Sequence, residues 1–154
     1  MAFTDPYTAN PEQIGSGVTT EAYTFNALAT TNFQDGITVG RFAQLKAGVL
    51  SDMDATATPT VAGVVKREAR YPITTDSTIA TGIGAPNDIS YVRDGYVTVE
   101  VLTGDTPAQF GTVYADNTTA GSYGKATTTS TSNIDVGAEF IKEIKTGVWL
   151  VRIK

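Results

Sequence analysis

Residues Ile89–Leu102 read ISYVRDGYVTVEVL, two alternating segments with Asp94–Gly95 between them. Asp-Gly supplies the two positive-φ residues of a two-residue type I′ turn, so the pattern predicts a β-hairpin. That turn sets Arg93 opposite Tyr96, Val92 opposite Val97, Tyr91 opposite Thr98 and Ser90 opposite Val99. Opposed residues share a sheet face. One face of the ribbon then carries Val92, Val97, Val99 and Val101, and the other Tyr91, Arg93, Tyr96, Thr98 and Glu100. A ribbon with one apolar side is half-buried, so other strands must cover its valines.

The stretch Ile134–Lys154, IDVGAEFIKEIKTGVWLVRIK, supplies the expected cover, with its bend at Thr146–Gly147. A two-residue turn there sets Phe140 opposite Ile153, Ile144 opposite Trp149 and Lys142 opposite Val151. Phe140, Ile144, Trp149, Val151 and Ile153 then share one face; Ile141, Glu143, Leu150 and Arg152 take the other. A one-residue slip would put Trp149 opposite Glu143 and break up the apolar side, so the unslipped register is favoured. Two such ribbons closing over each other predict an all-β body: a single β-sandwich or small, jelly-roll-like β-barrel. In a core site, Trp149→Ala would cost about 3–5 kcal/mol.

The rest of the chain fits that class. Its 154 residues suffice for one domain that buries roughly 70% of its unfolded surface. Hydrophobic residues make up 41% and charged residues 18%, with 15 glycines, and no long stretch has helical periodicity. Residues 1–35 read differently: two prolines, five aromatics (Phe3, Tyr7, Tyr23, Phe25 and Phe33) and no sustained period. We expect an extended N-terminal arm there, docking its aromatics on something else, with the body spanning 36–154; the spacing also allows a short helix over Thr20–Ala29. Ile37–Leu50 reads as one or two strands, and Ser51–Pro59 as a loop whose Asp52-x-Asp54 lacks the remaining ligands of a calcium loop. Val61–Val65 is a buried strand in which Gly63 signals a bulge or a close backbone approach. Asp116–Ser132, polar and rich in Thr, reads as a long exposed loop or hairpin tip.

Composition narrows the function. Net charge is −5 and the basic residues never form a run, whereas a nucleic-acid binder needs a basic stripe. The apolar runs are too short for a membrane span, and no secretory signal is expected. Cys and His are both absent, which removes thiolate ligands, the commonest metal ligand and the commonest general base. The sequence holds no nucleophile elbow, P-loop or HExxH, and its acidic residues sit mostly in turns. We therefore expect a non-enzymatic protein with no cofactor and no metal. The densest basic patch, Lys66, Arg67 and Arg70 followed by Tyr71, is either a solvated strand end or a contact for an acidic partner surface.

The order of motifs TVAGVVKRE, ISYVRDGYVTVEV, GTVYAD and GKATTTSTSNIDVGAEFIKEIKTGVWLVRIK resembles the tailed-bacteriophage structural cement (head decoration) proteins. Gly63, Asp94, Gly95, Gly111, Val113, Tyr114, Gly147 and Arg152 carry the resemblance, and Pro6–Tyr7, Pro11 and Gly15–Ser16–Gly17 are similar to that family's extended opening. Asp116–Ser132 is where the chain departs most from the family pattern. The resemblance implies a virion protein on the outer surface of the capsid. It would be a dimer or trimer that clamps neighbouring major capsid proteins, with no nucleic acid or membrane as partner. The aromatics of the arm would serve as anchors and Arg67, Arg70 and Arg93 as pairs for capsid carboxylates. A rival expectation is a carbohydrate- or host-binding module that stacks sugars on Tyr91, Tyr96 and Tyr123.

Overall fold

In the computed structural model, which describes residues 17–18, 37–67 and 89–154, Asp94–Gly95 is a corner between two sheets and not the turn of a hairpin. Gly95 takes φ 102° but Asp94 does not enter the positive-φ region that a type I′ turn requires of both residues. Strand β5 (Tyr91–Val92) pairs instead with β4 (Thr60–Val65), Val64 facing Val92 and Val65 facing Tyr91. Strand β6 (Gly95–Glu100) belongs to the other sheet. The physical reason is competition for partners: both edges of β6 are taken, one by β1 (Gly17–Val18) and one by β10 (Val148–Ile153). Strands that change sheet at a bend are how two-layer β folds make their corners.

Among the described residues there is no helix, and ten strands form two sheets. The six-stranded sheet runs β1-β6-β10-β9-β7-β8, where β7 is Thr112–Ala115, β8 Ala126–Thr127 and β9 Ile134–Lys145. The four-stranded sheet runs β3-β2-β4-β5, with β2 at Phe42–Lys46 and β3 at Val49–Asp52. The larger sheet curls until β8 returns to the end of β6: Val101 and Ala126 form a parallel bridge, and Leu102 N–H donates to the Ala126 carbonyl at 2.8 Å. The all-β sandwich or barrel expected from the pattern is the fold. Of residues 1–35, Gly17–Val18 is described, as β1 on the edge of β6; the arm aromatics Phe3, Tyr7, Tyr23 and Phe25 and the Thr20–Ala29 stretch lie outside the described residues.

The two ribbons do not close over each other. Strands β6 and β10 are hydrogen-bonded neighbours, with Val97 beside Val151 and Val99 beside Trp149, so their apolar residues line one face of one sheet. The layer covering that face comes from elsewhere: Phe42, Met53, Val64 and Val92 pack against Val97, Val99, Val113, Phe140, Val151 and Ile153. The opposite face of the four-stranded sheet is buried too, in a second cluster of Ile37, Val39, Ala43, Leu50, Ala62, Val65, Ile89 and Tyr91. Such two-sided burial explains why β4 reads as a continuous apolar run, not an alternation.

The carboxy-terminal hairpin turns at Thr146–Gly147 as read, with Lys145 facing Val148. Beyond the turn the register differs. Two shifts leave Ile144 and Ile141 without a facing residue, so Trp149 faces Glu143, Val151 faces Phe140 and Ile153 faces Ala138. The pairing disfavoured by simple alternation is the one adopted. Bulges bend and twist the long strand β9, and a sheet that must curl into a barrel needs that bending. Phe140 still meets Trp149 edge-on, ring centroids 5.5 Å apart at 78°.

Gly63 fulfils both expectations made for it. The β2–β4 register slips between Ala43 and Gln44, and a Cβ at Gly63 would overlap the carbonyl oxygen of Val92. Asp116–Ser132, expected to be an exposed loop, is in part core: Asp116, Ala126 and Thr127 are fully buried. Gly124 explains this. Its carbonyl accepts from Phe42 N–H at 2.8 Å, and the approach is so close that a Cβ would overlap the Phe42 carbonyl oxygen.

Candidate interaction surface

On the outer face of the six-stranded sheet, register places Tyr96, Arg152, Glu139 and Thr112 in one row across four strands. The Arg152 guanidinium carbon lies 5.9 Å over the Tyr96 ring. Glu139 receives Lys154 at 2.7 Å and, more distantly, Arg152 at 3.9 Å. These are solvated pairs of small individual energy, but together they fix a row of charge and aromatic surface.

A tighter cluster gathers at the end of β6. Glu100 accepts from Arg41 Nε at 2.9 Å and from Lys125 Nζ at 2.6 Å, and Arg41 also donates to the Gly121 carbonyl at 3.1 Å. The three side chains are only 12–25% exposed. Burial pushes the Glu100 carboxyl up, but the hydrogen bonds and charges of Lys125 and Arg41 outweigh it and hold the group below its ordinary value of 4.5. A carboxylate held ionised in this way ties three segments together; it is not poised to give up a proton at neutral pH. Pattern reading missed the cluster because its members are 59 and 25 residues apart in the chain and each looks solitary there.

Asp52 and Asp54 have local duties. Asp52 accepts from Thr38 N–H at 2.9 Å and Thr38 Oγ1 at 3.0 Å. Asp54 takes Lys46 Nζ at 2.8 Å and Thr56 N–H at 2.9 Å, and the Lys46 ammonium beside it holds its carboxyl well below the usual carboxylate range. Among the described residues no group of three or more acidic side chains converges as a metal ligand set.

The contact candidates read from the sequence separate. Tyr91 is buried in the second cluster and presents no outer surface. Tyr96 is half-buried on the other sheet, and Tyr123 is partly buried against the main core. The three tyrosines thus form no common stacking platform for a sugar. Arg93 is exposed at the corner between the sheets. Arg67 is half-buried, and desolvation lowers its pKa from the ordinary guanidinium value. Arg70 and Tyr71 lie outside the described residues.

One surface residue escaped the sequence reading. Phe110 is 67% exposed and takes φ 65° in the turn that leads into β7. Its N–H donates to the Phe140 carbonyl at 2.6 Å, which holds the turn against β9. Leu45, at 37%, is the other exposed large hydrophobic residue among those described.

Residues 6–154 match the model of a family described as XM1 gp53 minor capsid protein. Among solved structures, a chain of the capsid of Myoviridae phage XM1 superposes with a TM-score of 0.84 at 29% sequence identity, covering 100% of this chain and 98% of that one. No curated protein matches.

Proposed function

Since the chain belongs to the XM1 gp53 minor capsid protein family and is thus a phage capsid-associated protein, we propose that it is a cement protein of the phage head. In this reading it binds the outer surface of the assembled shell as a dimer or trimer, clamps neighbouring major capsid proteins and performs no catalysis. The observation that carries the proposal is the likeness over the whole length of both chains to a protein of a phage capsid. The body fits the role physically. It is a two-sheet core with a half-buried ion-pair cluster at the end of β6, and a ligand that binds only the assembled lattice stabilises that lattice by mass action. Arg67, Arg70 and Arg93 are the proposed pairs for capsid carboxylates. Tyr71, Tyr96 and the arm residues Phe3, Tyr7, Tyr23 and Phe25 are the proposed aromatic anchors.

The test is to add the purified protein to DNA-filled heads that lack it. We expect co-sedimentation with intact heads, no co-sedimentation with unassembled capsid subunits, and heads more resistant to heat. Failure to bind intact heads would overturn the outer-surface cement reading.

A further inference from the structure

Where strand β6 ends, Val101 N–H donates to the Gly147 carbonyl of the β9–β10 turn at 2.9 Å. A groove of about 470 Å³ lies there, one wall drawn from residues 101–107 and the other from residues 143–149 of the hairpin. Val101, Leu102, Pro107 and Trp149 give it apolar sides. Each wall also contributes one carboxylate, Asp105 from the first and Glu143 from the second. Among the described residues that line it there is no lysine or arginine; Lys142 and Lys145 are exposed on β9 outside it.

Asp105 is held in place: its Oδ2 accepts from Thr127 Oγ1 at 2.6 Å and from Thr128 N–H at 2.8 Å, and Thr127 is fully buried. Its Oδ1 and the Glu143 carboxylate receive no hydrogen bond or ion pair among the described residues. Glu143 stands across from Trp149 in the β9–β10 ladder, the pairing that the bulges impose. Two like charges in a groove with apolar sides repel each other through a medium that screens less than water, so the site favours a cation. A bare metal ion matches poorly, because it asks for six or more oxygens and these sides are largely carbon. A neutral sugar could use Trp149 but gains nothing from the negative charge. A lysine or arginine side chain matches both features. Its carbon stem suits Val101, Leu102 and Pro107, and its charged head suits the two carboxylates and the indole. We propose that this groove receives a basic side chain projecting from a neighbouring protein of the head. The inference rests on the cement reading for the identity of that neighbour, and it adds a contact of opposite sign to the one made by the arginines of this chain.

Trp149 is the only tryptophan, so its emission reports on the groove. The full chain is titrated with acetyl-Gly-Arg-Gly-amide, with the uncharged citrulline peptide of the same shape, and with glucose. A saturable change is expected with the arginine peptide alone, weakening as salt is added. Glu143→Gln alters an exposed charge and little else, and is expected to weaken that binding by about tenfold or more. Glu143→Lys, which brings its own cation to the groove, is expected to abolish it. No saturable response to the arginine peptide overturns the proposal. So does an equal response to the citrulline peptide, a response to glucose alone, or a Glu143→Gln chain that binds as tightly as wild type. On DNA-filled heads, Glu143→Gln is expected to bind about tenfold more weakly than wild type. Equal binding of the two overturns the assignment of the groove to the head contact. A wild type that fails to bind heads overturns the cement reading, and the peptide titration then decides the groove by itself.

Discussion

Gly63 and Val92 approach so closely that any Cβ on the glycine would overlap the valine carbonyl oxygen. The contact joins β4 to β5 at the bulge where the four-stranded sheet bends around the core. Gly63 also sits at φ 145°, a backbone conformation that residues with side chains rarely adopt.

Gly63→Ala is therefore expected to destabilise the body by about 2–4 kcal/mol, combining backbone strain with overpacking. Urea denaturation measures it. A change under 1 kcal/mol, on the order of an ordinary surface substitution, would mean that the two strands separate without cost.

Glu100→Gln should remove the charge that Arg41 and Lys125 surround and cost about 1–3 kcal/mol at neutral pH. Because the folded-state pKa of Glu100 lies below its ordinary 4.5, its contribution is present above that value and is lost as pH falls through the folded-state pKa. The stability difference between wild type and Glu100→Gln is expected to stay level from neutrality to mildly acidic pH and then to shrink. A difference that grew on acidification would contradict the assigned ion pairs.

Phe140→Ala is expected to be worse than Trp149→Ala. Phe140 is fully buried and should cost about 3–5 kcal/mol. Trp149 is half-buried, so about 2–3 kcal/mol is expected there, less than a core tryptophan would give. Thermal or chemical unfolding of the two variants checks the order.

Arg67→Glu combined with Arg93→Glu is expected to weaken attachment to heads by about tenfold at low salt and to flatten its salt dependence. Binding isotherms at two ionic strengths decide it. Unchanged affinity would remove both arginines from the contact.

What could be read from the chain was the local chemistry, and what could not was partnership. Gly63 and the Thr146–Gly147 turn were legible because each rests on backbone sterics within a few residues. Asp94–Gly95 carried an equally clear signal and was misleading, since turn preference is overridden once β1 and β10 occupy both edges of β6. Among the described residues, the two-residue turn with both φ positive is Ala47–Gly48, at 51° and 80°, where alanine gives little warning. The register beyond the carboxy-terminal turn was lost to bulges at Ile144 and Ile141, whose cause is the curvature of a whole sheet. The Arg41–Glu100–Lys125 cluster and the exposure of Phe110 likewise arise only when distant segments meet.

The curl of the larger sheet has a further effect on how copies can meet. Among the described residues its outermost strands, β1 and β8, have two residues each; in the smaller sheet β5 has two and β3 four. Ladders that short offer a neighbouring molecule little unsatisfied backbone to template on. Crowded molecules therefore have poor footing for fibre-like stacking, and contact between them falls to side chains, whose shape and chemistry can discriminate among partners.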